Sequence, residues 1–378
     1  MSIPFNQPRL AGREIENIIE AVKGGQLAGD GAFTQRCEGF LRERIGAGAV
    51  LLTHSCTAAL EMAAILLDLG PGDEVIMPSF NFVSAANAVA LRGAMPVFVD
   101  IRADTLNLDE RLVAAAISPR TRSIWPIHYA GVPAEMDSIN TTAAQHGLSV
   151  IEDAAQALDS TYHGRKAGSL ATLAAFSFHE TKNVIAGQGG CLAINDAALI
   201  RRAEIIRERG TDRKAFFRGE KEKYTWVDVG SCCLPGELVA SFLWAQLNEA
   251  DRLLDERCAN WKTYDEAISP WRAKGVRTPV IPQNCGHNAH IYFIVMPSSE
   301  TRDALISGMR SDGIMTPFHY VPLHDSPAGR RFGRASGELP VTSDVSARLV
   351  RLPLFPGVGE VLPRILGRLA HHLRIILG

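Results

Sequence analysis

The 378-residue chain reads as an α/β protein: a largely parallel sheet covered by helices on both faces, followed by a smaller α+β unit. Three observations predict this. Between residues 49 and 209, short β-branched runs alternate with amphipathic stretches, the pattern of repeated strand–helix–strand connections. The chain is too long for one ordinary core. After residue 209 the alternation stops and a different periodicity follows.

Taken in order, residues 11–23 carry Ile15, Ile18, Ile19 and Val22 at helical spacing, and Gly24-Gly25 ends the pattern. The segment GQLAGDGAFTQRCEGFL then runs from a glycine-rich loop into a second helix. Such a loop lets a ligand approach the backbone, or is a plain turn with Thr34 near the helix start. Strands are predicted at 50–53, 74–77, 96–99, 123–127, 149–152, 173–178 and 191–194. Helices are predicted between them at 58–69, 83–92, 109–117, 134–146 and 197–209. In such a sheet, ligands gather at the carboxyl ends of the strands.

Residues 210–229 (GTDRKAFFRGEKEKYTWVDV) have no period and form a long polar excursion. One helix over 237–257, apolar at Leu238, Phe242, Ala245, Leu247 and Leu253, leads into the C-terminal unit. That unit is expected to hold strands at 291–296 and 314–319, a helix at 299–312 and a last helix at 362–377.

Composition narrows the function classes. Hydrophobic residues make up 46% and charged residues 21%, with a net charge of −2, so neither a nucleic-acid nor a membrane partner is expected. The N-terminal segment is polar where a signal peptide needs an apolar run, which predicts a cytoplasmic protein. Seven scattered cysteines without a CxxC pair predict reduced thiols and no metal framework.

Four features fall at strand ends. THSCTAAL (53–60) turns from strand to helix at Ser55-Cys56-Thr57, where free amides, hydroxyls and the helix dipole suit a phosphate, although Ser and Thr there also serve as plain caps. PSFNFVS (78–84) offers Phe80 and Phe82 for stacking on a flat ring, or for the core. VIEDAAQA (150–157) ends a buried strand with Glu152 and Asp153, then Gln156. A carboxylate there holds a proton on a heteroaromatic nitrogen, or joins a structural ion pair. Finally, FSFHETKNVIAGQGG (176–190) sets Ser177 and Lys182 between an apolar run and a glycine cluster. A lysine against buried strands loses its proton readily, and a neutral amine is what condensation with an aldehyde requires; a solvated loop lysine is the alternative. Phosphate cradle, ring-nitrogen partner, stacking ring and amine together are the set that pyridoxal 5′-phosphate (PLP) needs.

VIEDAAQ, FSFHETKN with the following G-x-G-G, SCTAAL and HYVPLH together resemble the DegT/DnrJ/EryC1/StrS sugar aminotransferases of PLP fold type I, over essentially the whole chain. The resemblance implies a large PLP-binding domain over residues 1–245, with a mostly parallel seven-stranded sheet, and a small α+β domain over 246–378. It implies Lys182 as the lysine bound covalently to PLP, Asp153 at the ring nitrogen, Gln156 near the 3-hydroxyl and Phe82 on the ring. Cys56, Thr57 and Ser177 hold the phosphate, and His319 and Tyr320 face the substrate. Within the family, GDGAFTQRCE, GDEVIMPSFNFVSAANA and FFRGEKEKYTW are most similar to members that aminate C4 of dTDP-4-keto-6-deoxy-D-glucose. L-glutamate as donor and a homodimer with shared active sites are implied likewise. Arg213 and Arg218 are candidates for the diphosphate of the sugar nucleotide, or for a solvated loop.

Two departures stand out. Many members carry glycine where Cys56 stands, and many carry a G-Y-N-Y-R segment where this chain reads Gly230-Ser231-Cys232-Cys233-Leu234. Dehydratases of the family typically have histidine at the position of Lys182. A non-catalytic sugar-nucleotide binder is the rival from a different class.

Overall fold

The computed structural model describes residues 2–378. The strands, in chain order, are β1 (Ala49–Thr53), β2 (Glu74–Pro78), β3 (Met95–Val99), β4 (Thr121–Ile124), β5 (Ser149–Asp153), β6 (Thr161–Tyr162), β7 (Arg165–Lys166), β8 (Leu173–Ser177), β9 (Gly190–Ile194), β10 (Cys285–Gly286), β11 (Tyr292–Val295), β12 (Arg334–Ala335) and β13 (Leu349–Leu352). The central sheet has the order β1-β9-β8-β5-β4-β2-β3-β12. Every neighbouring pair is parallel except those made by β9, which runs antiparallel to both β1 and β8. All seven expected strands form, and an eighth joins them. β12 pairs with β3 from the C-terminal part of the chain, and Arg334 anchors it by donating to the buried Glu74 of β2 at 2.9 Å.

Helices α1 (Glu14–Lys23), α2 (Ala32–Ile45), α3 (Cys56–Leu66), α4 (Val83–Ala90), α5 (Glu110–Ala116), α6 (Met136–Gln145), α7 (Ile200–Arg207), α8 (Arg213–Phe217) and α9 (Glu237–Asn248) surround the sheet. Strands buried on both faces need apolar residues at every position. Along β8, Leu173 and Ala175 face the cluster built with α3, α4 and α7, while Ala174 and Phe176 face the one built with α2 and α9. The alanines matter because α3 presents Ala58, Ala59 and Ala63 to the same layer, so helix and sheet approach closely. Further along, α5 and α6 cover Ile76, Val97, Ile124 and Val150.

Two expectations are corrected, and one expected helix packs by its polar face. The helix over 237–257 is two helices, α9 and α10 (Ala250–Ile268), broken at Glu249, whose φ of −103° and ψ of 8° leave the helical region. No strand forms over 314–319; a single parallel bridge between Ile3 and Ile314 takes its place, and Pro317 supplies no amide there. Helix α1 exists, but its apolar face points outward: Glu14, Asn17 and Ala21 are buried against α9, while Ile15, Ile19 and Val22 are exposed. The buried Glu14 accepts from the amides of Ala11 and Gly12 and from Gln246 of α9.

In the C-terminal part, β11 and β13 pair antiparallel, and α10, α11 (Ser299–Ser311) and α14 (Leu362–Leu377) pack around Tyr264, Leu305, Met309, Ile365 and Leu369. The short α12 (Pro327–Phe332) precedes β12, and α13 (Pro340–Arg348) leads into β13. The division expected at residue 245 lies inside α9. Ile3 and β12 cross it in opposite directions, and a shared cluster joins Phe80, Ile127 and Tyr129 to Ile291, Phe293 and Leu349. Among the described residues no helix is long and apolar enough to cross a membrane, and all seven cysteines are free thiols.

Candidate active site

The carboxyl ends of β1, β2, β5 and β8 open into one cavity of about 480 Å³, closed on the far side by residues of the C-terminal unit and by Phe5 and Asn6. Cys56, Thr57, Phe82, Asp153, Gln156, Ser177, Lys182, His319 and Tyr320 all line it.

Its floor begins at helix α3. Ser55 caps the helix by accepting from the amide of Ala58 at 3.1 Å, and the amides of Cys56 and Thr57 have no acceptor among the described residues. Gly190 makes this turn possible. A Cβ there would lie 2.4 Å from the Cys56 amide nitrogen, closer than any side chain tolerates, so only glycine lets β9 run beneath the helix end. Free amides at a helix N-terminus attract an anion. The hydroxyl of Thr57 meets that of Ser84 at 2.7 Å, and Ser177 closes the same corner from the end of β8.

Lys182 sits on a loop fixed by its own backbone. Phe178 and Ala186 are bonded through the latter's amide, Glu180 donates to Gly187, and the Lys182 amide donates to His179 at 2.8 Å. The Lys182 side chain is half-buried, and desolvation pulls its pKa below the ordinary lysine value, against the opposing pull of Cys56 and Asp153. Burial pushes the Asp153 carboxyl above its usual range, opposed by the Asn81 side-chain amide, which donates to it at 3.2 Å, and by the Ala155 backbone amide at 3.3 Å. A carboxylate so buried gains from a proton-bearing partner in the cavity. Together these groups suit a flat ligand with a phosphate at one end, a basic ring nitrogen at the other and an aldehyde between them.

The side walls are held from below. Gln156 accepts from the Ala130 amide at 2.8 Å and donates to the Tyr320 hydroxyl at 3.2 Å. Tyr320 stacks on His319 with ring centroids 3.6 Å apart, and the Tyr129 hydroxyl lies 3.1 Å from His319 Nδ1. Burial lowers the His319 pKa well below the ordinary value, with the charges of Arg351 and Lys182 pulling the same way. Phe82 stands at the mouth, 58% exposed, whereas Phe80 is packed in the core between Tyr129 and Tyr320.

Two of the alternatives left open in the sequence are not part of this cavity. Arg213 and Arg218 lie outside the cavity: Arg213 is paired with Glu208 at 3.0 Å, and Arg218 with Glu204 and Glu220 at 2.9 and 2.8 Å. The glycine-rich loop before α2 is closed to ligands because Glu237 of α9 accepts from the amides of Gly31, Phe33 and Thr34 and from the Thr34 hydroxyl. Sequence reasoning also missed Asn81, His290 and Arg351. Asn81 sits between the two phenylalanines already singled out, so its polar side chain at a strand end was a usable signal. His290 and Arg351 come from segments with no motif of their own.

Residues 8–364 match the model of the DegT/DnrJ/EryC1/StrS aminotransferase family. The chain is 32% identical over 369 residues to the spore coat polysaccharide biosynthesis protein SpsC of Bacillus subtilis, covering 95% of this chain and 93% of that one. It is 33% identical over 367 residues to the dTDP-4-dehydro-2,3,6-trideoxy-D-glucose 4-aminotransferase of Saccharopolyspora spinosa, again covering 95% and 93%. The crystal structure of the aminotransferase TlmJ from Streptoalloteichus hindustanus superposes with a TM-score of 0.91 at 30% identity, covering all of both chains.

Proposed function

The chain belongs to the DegT/DnrJ/EryC1/StrS aminotransferase family, whose aminotransferases depend on PLP, and from that premise we propose a specific reaction. It moves the amino group of L-glutamate to C4 of a nucleotide-linked 4-keto-6-deoxyhexose. The acceptor is dTDP-4-keto-6-deoxy-D-glucose, and the product is dTDP-4-amino-4,6-dideoxy-D-galactose. Similarity to a relative named as a 4-aminotransferase of a dTDP-linked dehydro sugar supports both the nucleotide and the carbon.

The observation that carries the reading is one cavity holding the desolvated amine of Lys182, the buried carboxylate of Asp153 and the open N-terminus of α3. When bound, PLP supplies an electron-accepting ring that lets a C–H bond beside an amine ionise. Lys182 would hold the cofactor, and its Nζ, freed when the donor takes its place, would be the base that accepts the proton from the donor's α-carbon. Desolvation keeps that amine poised to be neutral. Asp153, oriented by the Asn81 amide, would keep a proton on the ring nitrogen. The amides of Cys56 and Thr57, with Ser177, would hold the phosphate, while Phe82 would lie against the ring and Gln156 on its 3-hydroxyl side. His319 and Tyr320, stacked on each other, face the sugar.

We further read the exposed apolar surface as the contact with a second copy of the chain. Ile15 and Ile19 on α1 and Trp226, which is 77% exposed, are left uncovered, and Phe82 at the cavity mouth is uncovered with them. The test is incubation of the PLP-loaded protein with L-glutamate and a panel of dTDP-, UDP- and GDP-linked keto sugars. Mass spectrometry is expected to find an amino sugar from the dTDP-linked 4-keto sugar. Amination of another member of the panel alone overturns the substrate, and amination of none overturns the reaction.

A further inference from the structure

A second cavity of about 10 Å³ adjoins the first, and Ala155, Gln156, Ser177, Lys182 and His290 line both. That is the space of one water or one amine nitrogen. Asn183 and Asn288 complete its polar wall, and both spend their side chains on neighbours. The Asn183 amide nitrogen donates to the Asn288 carbonyl at 2.7 Å, and the Asn288 amide nitrogen donates to the carbonyls of Gln156 and Leu158 at 2.9 and 2.8 Å. Gln156 is occupied likewise, by Ala130 and Tyr320. Lys182 Nζ and His290 Nε2, by contrast, have no hydrogen-bond partner among the described residues.

This wiring fixes the tautomer of His290. Because the Asn183 nitrogen faces a carbonyl, its oxygen is the atom that meets His290 Nδ1, at 2.9 Å. An oxygen acceptor requires the proton on Nδ1, which leaves Nε2 with a lone pair and no hydrogen. Burial disfavours a second proton on the ring, with the charges of Lys182, Arg257, His319 and Arg351 acting the same way. The backbone that carries the ring is held at a cost. Ala289 has a φ of 52°, in the left-handed region, and the buried Arg257 of α10 donates to the carbonyls of Ala289 and His290 at 3.2 and 2.7 Å.

A neutral amine has two N–H donors and one lone pair, and only the lone pair can take a proton. A partner that donates would occupy that lone pair, whereas one that accepts leaves it free. We propose that His290 is a positioning residue for Lys182: when the donor takes the lysine's place, the freed Nζ seats in the small cavity, donates an N–H to His290 Nε2 and keeps its lone pair for the donor's α-proton. In that step the α C–H bond breaks, its electron pair stays behind, and the proton joins the lone pair on Nζ; His290 itself gains no proton. The proposal rests on the transaminase reading and adds to it what holds the lysine while it acts as the base.

Nitrogen NMR of the isotopically labelled, cofactor-free protein reads the tautomer, with the His290 signals identified by their loss in His290→Leu. The proton is expected on Nδ1; a proton on Nε2 overturns the proposal without any kinetics. The full chain loaded with PLP is then mixed with L-glutamate and followed by the cofactor's absorption. In His290→Leu the half-reaction is expected to slow by about 10- to 100-fold, with its dependence on L-glutamate concentration unchanged. Deuterium at the donor's α-carbon slows this variant by at least the factor seen in wild type, because C–H cleavage is the step impaired. His290→Gln, which keeps an accepting oxygen, recovers part of the rate. PLP loading, read by borohydride trapping, stays near wild type in both variants. A His290→Leu protein that is slow but shows a smaller isotope effect than wild type overturns the proposal, since a step other than proton transfer is then the one disturbed. A wild type whose absorption does not respond to L-glutamate overturns the transaminase reading together with this one, whereas a responsive wild type beside an unaffected His290→Leu protein overturns only the role of His290.

Discussion

Substituting Gly190 by alanine tests whether the helix end above it is the anion site. The residue lies in β9 between Thr53 of β1 and Ser177 of β8, so ladder hydrogen bonds on both sides keep it from moving sideways. An added Cβ would meet the Cys56 nitrogen at 2.4 Å, the Ser55 carbonyl carbon at 2.5 Å and the Phe176 oxygen at 2.7 Å, all backbone atoms. The first contact is about 1 Å short of ordinary van der Waals distance, so the start of α3 must lift by about that much. Overpacking of this kind costs about 1–3 kcal/mol of stability. If a comparable part is lost from cofactor binding, the affinity for PLP falls roughly 10- to 100-fold. Titration of the cofactor-free protein with PLP, read by absorbance, measures the loss, and denaturant unfolding measures the stability. Gly39→Ala is the control: it lies in α2 with nothing within 4 Å of the new Cβ, and is expected to gain about 0.5–1 kcal/mol of stability at unchanged PLP affinity. A Gly190→Ala protein with wild-type PLP affinity would refute the assignment of the phosphate to this turn.

Asp153→Asn should still take up PLP, but the half-reaction with L-glutamate should slow by on the order of 10²- to 10³-fold in single-turnover absorbance, because the proton on the ring nitrogen is no longer stabilised. For Lys182, the folded pKa lies below the ordinary value of 10.5, so the cofactor-free folded protein binds fewer protons than the unfolded chain and its stability rises with pH across that window. Lys182→Met removes this dependence: its stability relative to wild type is greatest near neutral pH and falls as pH approaches 10.5, and a difference that grows with pH contradicts the direction. Arg213→Gln and Arg218→Gln break half-exposed pairs, so each should change stability by less than about 1 kcal/mol and leave the KM for the sugar nucleotide within a few fold. A loss of tenfold or more would return these residues to the substrate. Sedimentation should show a dimer for the wild type and a monomer for the Ile15→Lys, Ile19→Lys double variant; a monomeric wild type contradicts the proposed contact.

The strands were legible because each is a short β-branched or apolar run whose two faces are both buried, a local property of the sequence. Helix α1 shows the limit of the same signal. Spacing of Ile15, Ile19 and Val22 predicts a helix, but not that the opposite face, with Glu14 hydrogen-bonded to Gln246, is the one packed inward. Pairings distant in the chain were invisible. Glu237 closes the α2 N-terminus from 203 residues beyond Thr34, and β12 reaches β3 from the far end of the chain. In the site, residues borne on strand ends with recognisable neighbours, such as Lys182 and Asp153, could be read from motifs. His290 could not, since its importance comes from the tautomer that Asn183 imposes and from the small cavity it shares with Lys182, both consequences of folding.

Sodium borohydride reduction of the PLP-loaded protein, followed by peptide mapping, addresses the chemistry at its source. The account predicts a stable pyridoxyl group on Lys182 alone, absent from a Lys182→Ala variant treated in the same way. A label on any other lysine, or none on Lys182, would contradict it.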